Sequence, residues 1–381
     1  MFIYESILIV YILLWIANLI YILKRKDNRF LSLITYIFLG FIFISNSGDT
    51  GDAQLYKNYF ENQNLVDLNF EFGYNFIAQI LYSFGIYTYT GLLIALYVLS
   101  TFFLWLGLRK MDVSYHCLFA IVMPFIFPTY ATAIRFFVAS TILISAIKYL
   151  FERKYLIFTV LLIFAASFHT LSIIYFLFFL GAVDFNYRWK IKRILLWFIA
   201  ILSVVLFGVY IILKTNFMTL LLSYVVPMLF IINDSKMDAY FTTNTNWGGA
   251  VFFVVYICGL LLAIVIKKYV DNDNGVIHVN DRIKNYSELN YNVNLILSMI
   301  IPLLAINLVF YRLLIIGHIT NAILLGMVYK NNTSKKPGQI IIINTVTIAF
   351  IVCCMFWFIP EFVKIQSISI RGIIEAMGVY N

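Results

Sequence analysis

Charge is what this sequence has least of. Of its 381 residues, 12% are Asp, Glu, Lys or Arg and 63% are hydrophobic, against about 25% and 45–50% in soluble domains. So few charges cannot cover a water-facing surface on a chain this long. A soluble fold is excluded, and lipid is the main solvent. Cysteine is scarce too. Cys117, Cys258, Cys353 and Cys354 lie in apolar runs without metal-ligand spacing and read as small hydrophobes. No Walker loop, GxSxG elbow or HExxH motif is present. Asp271-x-Asp273 before Gly275 hints at a calcium loop, but Gly275 and Arg282 stand where its fifth and twelfth positions need ligands. There is no Gly/Ser linker, no clear repeat and no soluble domain, so a single transmembrane domain over residues 1–381 is expected.

What the chain has instead is long apolar runs separated by basic clusters. A span needs about 20 apolar residues, and short cytoplasmic loops collect Lys and Arg. The first run, Ser6 to Leu23, follows Glu5 and precedes a basic cluster, so it reads as a span and not as a cleaved signal. Applied along the chain, the two rules predict an all-α polytopic membrane protein of about twelve spans. These fall near 4–23, 30–45, 90–108, 115–128, 132–150, two short passes within 155–183, 194–213, 248–266, 290–310, 313–329 and 339–358. Both termini, a stretch at 47–89 and a loop at 214–247 lie outside. Phe70–Tyr89 and Phe217–Ile232 are expected to be re-entrant or interfacial. The loop 269–288 lies inside. Twenty of the 27 basic residues then fall inside and five outside, with Arg135 and Arg312 at helix ends in the outer half. That bias explains the net charge of +9 as membrane anchoring, and no nucleic-acid partner is expected.

Two short-limbed hairpins are expected, at about 115–150 and 155–183. Tyr155 to Val183 contains one ionisable residue, His169, and is flanked by bases at both ends. A single pass would strand one cluster outside. Each limb has about 14 residues, about 21 Å of helix against a hydrocarbon core of about 30 Å. The turn near Ser167–Thr170 should therefore sit below the outer surface. His169 there is either hydrogen-bonded at a helix turn or a group in a recessed, hydrated cavity.

The same topology gathers Asp49, Asp52, Glu71, Arg135, Arg312, Asp234 and Asp238 on the outer side. Each arginine either snorkels to the headgroups or binds an anion. A guanidinium takes phosphate oxygens bidentately, and two of them suit a diphosphate. Asn307, Tyr311, Leu314, His318 and Asn321 make a stripe on one helix face, expected to form an interhelical hydrogen-bond network.

Four segments recur in a familiar order: Asp52-Ala-Gln-Leu-Tyr56-Lys-Asn-Tyr59-Phe60, Phe70-Glu71-Phe72-Gly73-Tyr74, Ile134-Arg135-Phe136-Phe137-Val138-Ala139, and Ala166-Ser167-Phe168-His169-Thr170-Leu171-Ser172. The chain resembles the EpsG family of bacterial exopolysaccharide proteins, which are similar to Wzy-type polysaccharide polymerases. The likeness covers about residues 45–180, with a Tyr311-Arg312 pair beyond. Phe136 departs from it, since the family usually has a polar residue there, often glutamine.

The resemblance implies a multi-pass protein of the bacterial plasma membrane that polymerises repeat units carried on undecaprenyl diphosphate, for an exopolysaccharide, capsule or O-antigen. It implies Arg135 and Arg312 on the diphosphate, and His169, Asp52 or Glu71 as general base. Tyr56, Tyr74, Tyr311 and His318 are the remaining substrate contacts it implies. No cofactor and no metal are expected. The partners it implies are the lipid-linked oligosaccharide, the bilayer, a chain-length regulator and other polysaccharide-assembly membrane proteins. Two alternatives stay open. One is a lipid-linked saccharide flippase, which needs inverted repeats and access from both sides. The other is a membrane O-acyltransferase, for which His116, near the inner face, is the better-placed histidine.

Overall fold

The computed structural model describes residues 2–24, 26–45, 51–62, 70–109, 111–123, 133–182, 189–213, 248–271, 281–305 and 310–331. The expected outer loop 214–247, the expected last span at 339–358 and residues 124–132 lie outside them. Every element among the described residues is helical. Among the described residues, four helices are long and apolar enough to cross a membrane: Tyr89–Leu108, Ile134–Phe151, Phe252–Asp271 and Tyr311–Asn331. The chain folds as two compact units. One comprises residues 1–173, 322–334 and 351–381, and the other 174–321 and 335–350.

The first unit starts with α1 (Phe2–Lys24) and α2 (Arg29–Ile44). Asn28 caps α2, its side chain accepting from the N–H groups of Phe30 and Leu31 at 3.1 Å each. Next come α3 (Gly51–Glu61), α4 (Phe72–Ser83) and α5 (Tyr89–Leu108). At 12 residues, α4 is about 18 Å long and too short to span. It buries Gly73, Tyr74, Ala78 and Leu81 and leaves Phe72 and Phe76 exposed. That pattern fits the expected interfacial helix.

After α6 (Tyr115–Ile121) the chain reaches α7 (Ile134–Phe151), which is buried along most of its length and forms the core of the unit. Small residues let α5 approach it. A Cβ on Gly107 would lie 3.0 Å from both Ile144 Cγ2 and the backbone nitrogen of Ser145. Lys148, 5% exposed, donates from Nζ to the carbonyl of Leu106 at 2.9 Å, so a buried cation serves one of the last carbonyls of α5.

The helix α8 (Tyr155–Phe168) then packs on α7 and stops at His169, whose backbone is extended. A 3-10 helix, Thr170–Leu177, follows, then α9 (Phe178–Ala182). The expected interruption at Ser167–Thr170 is therefore present. The expected second limb starts as a 3-10 helix and not as an α-helix.

At the start of α6, His116 is fully buried. The backbone N–H of Asn28 donates to its Nε2 at 2.9 Å, so the proton of the neutral ring sits on Nδ1 and is donated to Asn18 Oδ1 at 2.7 Å. Asn18 in turn donates to Thr35 Oγ1 at 3.0 Å. Both ring nitrogens are occupied in tying α1, α2 and α6 together, which argues against an acyl-transfer role for this histidine.

The second unit holds α10 (Trp189–Leu213), α11 (Gly248–Asp271), α12 (Asp281–Leu297), a 3-10 helix (Ser298–Ala305) and the first half of α13 (Tyr311–Asn331). Part of the loop expected at 269–288 is helix from Asp281 onward. Ile283, Tyr286 and Leu289 recur at three-residue spacing and are buried, which pulls the polar segment into a helix. Pro302 lies inside the following 3-10 helix; with no N–H, it cannot continue an α-helical ladder.

The polar stripe of α13 works as an interhelical network, as expected of Asn321; Asn307 lies outside the described residues. Asn321 accepts from Asn290 Nδ2 at 2.8 Å and Asn294 Nδ2 at 3.2 Å, and donates to the carbonyl of Gly259 at 2.8 Å. His318 packs close to the backbone of α11: a Cβ on Gly259 would lie 2.6 Å from its Cε1. This placement supports a packing role for His318. Gly259→Val is expected to cost about 1–3 kcal/mol by overpacking, seen as a lower thermal midpoint in detergent. An unchanged midpoint would mean that α11 and α13 have slack there.

Candidate functional site

The four recurring segments meet in the first unit around Arg135. Position and chemistry can be followed from each. α7 begins at Ile134, so Arg135 sits in its first turn. α4 begins at Phe72, which makes Glu71 its N-cap residue, yet the Glu71 carboxylate makes no capping bond. It pairs with Arg135 Nη1 instead, and the two side chains are only 13% and 15% exposed. A charge buried this far needs a partner, and the pair supplies one for each.

The rest of the guanidinium is held by aromatic groups. Arg135 Nε donates to the hydroxyl of Tyr56 on α3 at 3.0 Å. Its carbon lies 4.9 Å from the centroid of the Tyr56 ring and 4.7 Å from that of Phe70, within reach of cation–π attraction. Tyr56, Tyr59, Phe70 and Tyr74 pack on one another with centroids 4.6–6.0 Å apart. Tyr59 donates to Asn75 Oδ1 at 2.7 Å, and Asn75 donates to the carbonyl of Phe70 at 3.1 Å, which fixes the start of α4. Burial pushes the Tyr74 hydroxyl well above its ordinary pKa and that of Tyr82 up to about 12. Both stay protonated donors, Tyr74 to the carbonyl of Tyr56 at 3.5 Å and Tyr82 to that of Phe60.

The break after α8 supplies the fourth wall. Thr170 Oγ1 donates to Glu71 Oε1 at 3.4 Å. His169, 9% exposed, meets the ring of Phe136 edge to face at 5.3 Å. Phe136, expected from the resemblance to be polar, gives the imidazole an aromatic contact. α4 is held against this break by Gly73. A Cβ there would lie 2.6 Å from Ser167 Oγ and 2.9 Å from the backbone oxygen of Ser167. Because the backbone cannot move aside cheaply, Gly73→Ala is expected to push α4 off α8 and shift Glu71, two residues away. The thermal midpoint in detergent should fall; an unchanged midpoint would show that this contact has slack.

Asp52 belongs to the first turn of α3, and its side chain lies outside what is described. Arg312 and Tyr311, at the start of α13, belong to the second unit. Tyr311 stacks on Phe252 at 3.9 Å with an interplanar angle of 11°. Sequence reasoning singled out Glu71 and Arg135 without seeing that they are partners, because 64 residues separate them. It also passed over Phe70 and Thr170. The signal for each was its place in a recurring segment, directly beside Glu71 or His169.

This fold and site define a helical membrane protein whose recurring motifs converge on an arginine–carboxylate centre. A model of the EpsG family matches residues 29–227, just over half of the chain and all four convergent segments. The chain belongs to the EpsG family, bacterial membrane proteins of polysaccharide biosynthesis. No curated protein and no solved structure matches it.

Proposed function

We propose that this protein is a polysaccharide polymerase acting on the non-cytoplasmic side of the plasma membrane, with about twelve crossings and both termini outside. Its substrates are repeat units carried on a polyprenyl diphosphate. The observation that carries the reading is the convergence of the Tyr56, Glu71, Arg135 and His169 segments on one buried guanidinium.

In this reading a hydroxyl of an incoming lipid-linked unit attacks the anomeric carbon of the growing chain. The new glycosidic C–O bond forms as the bond to the diphosphate breaks, and the electron pair leaves with the lipid diphosphate. Arg135 stabilises the charge that develops on that leaving group. His169, at the break beside Phe136, accepts the proton of the attacking hydroxyl. Tyr56 and Tyr74 are buried and act behind the guanidinium, Tyr56 by orienting its Nε and Tyr74 by packing on Tyr56. The reading rests on the first unit alone, and residues of the second, Arg312 and His318 among them, carry no part of it.

Deletion of the gene, followed by analysis of lipid-linked saccharides, tests the proposal. Single repeat units accumulating on the outer face mark a polymerase. Units retained on the cytoplasmic face would mark a transporter, and polymer of normal length lacking a substituent would mark an acyltransferase.

A further inference from the structure

Arg135 is held in the plane a phosphate needs, but half of its fork is taken. Nε donates to Tyr56, Nη1 pairs with Glu71, and among the described residues Nη2 has no partner. A phosphate binds arginine through two parallel N–H groups. On the end of the guanidinium those are Nη1 and Nη2, so Glu71 stands where one phosphate oxygen would sit. We propose that Glu71 is the internal counter-ion of an anion site on Arg135, holding Nη1 until a diphosphate displaces it.

Three features separate this role from a simple structural lock. First, Arg135 does not depend on Glu71 for its orientation. The Tyr56 hydroxyl fixes Nε, and the Tyr56 and Phe70 rings flank the guanidinium at 4.9 and 4.7 Å. Second, Glu71 has few partners besides Arg135. Among the described residues its carboxylate meets only Arg135 and, at the long distance of 3.4 Å, the hydroxyl of Thr170. It makes no bond to the start of its own helix. Third, the exchange is favourable in charge. A diphosphate brings more negative charge and more acceptor oxygens than one carboxylate, while an empty site never leaves a buried guanidinium without a counter-ion. The device keeps Arg135 charged and dry between turnovers, and the Glu71 carboxylate is released only when substrate arrives.

The inference rests on the reading of Arg135 as a phosphate ligand, and one experiment separates the two. Farnesyl diphosphate is titrated into purified protein in lipid nanodiscs: the unaltered chain, Glu71→Gln, Glu71→Asp and Arg135→Ala. Gln keeps the shape and removes the charge that competes for Arg135; Asp keeps the charge but withdraws it by one methylene. Both should bind farnesyl diphosphate more tightly than the unaltered chain, Glu71→Gln by roughly tenfold if about 1.4 kcal/mol of competition is removed. Arg135→Ala should abolish binding. Weaker or equal binding in the two Glu71 variants, beside measurable binding by the unaltered chain, overturns the counter-ion role and leaves Arg135 as a phosphate ligand. Binding that survives Arg135→Ala overturns both. Should Glu71→Gln fail to fold, as judged by its thermal midpoint, Glu71→Asp decides alone.

Discussion

Arg135→Lys should lower polymer output by about a hundred- to a thousandfold, the cost of losing one transition-state donor of about 2.7–4 kcal/mol. Lysine keeps the charge and can reach the headgroups, so an anchoring residue would tolerate it. It cannot reproduce what the structure shows around this side chain. The Nε donor to Tyr56 at 3.0 Å is lost, and so is the planar group that Tyr56 and Phe70 flank. The Glu71 partner remains in reach of an ammonium, so insertion and folding should be retained. The readouts are polymer mass and lipid-linked saccharide length, with protein level checked by blot. Near-normal polymer would reduce Arg135 to a structural cation.

His169→Gln is expected to cut turnover by about a hundred- to ten-thousandfold, the usual contribution of a positioned general base. Glutamine keeps polarity and comparable bulk beside Phe136, so the break after α8 should persist. Binding of the diphosphate lipid should change little, because Arg135 and its aromatic flank are untouched. A loss confined to kcat supports proton transfer at His169. A loss of thermal stability or of binding in step with activity would mark the residue as structural.

How much of this was readable beforehand depends on the physical signal behind each element. Helix ends set by a switch from apolar run to base or polar cap were legible. α2 spans Arg29–Ile44 against an expected 30–45, and α5 spans Tyr89–Leu108 against 90–108. The stop at His169 was legible because basic clusters on both sides of the apolar run predict a turn midway along it. The start of α12 at Asp281 was not, since its burial comes from Ile283, Tyr286 and Leu289 in a segment otherwise polar. In the site, topology placed Glu71 and Arg135 on one side of the membrane. It said nothing of their pairing, which tertiary packing of α3, α4 and α7 creates. That pairing changes the reading of Glu71. As a free outer carboxylate it suits a general base; held on Arg135 it suits a counter-ion. The asparagine network escaped in part for a similar reason. Asn321 stood out on its stripe, whereas Asn290 and Asn294 gain meaning only from what they face.

The central claim is that this chain joins lipid-linked repeat units, and reconstitution tests it most directly. Purified protein in proteoliposomes is supplied with the lipid-linked repeat units that accumulate when its gene is deleted, and the products are sized. The account predicts saccharides of two or more units on one lipid, with one polyprenyl diphosphate released per linkage, and neither product from Arg135→Lys. Folded protein that leaves the units single, or that only moves them across the bilayer, would contradict it.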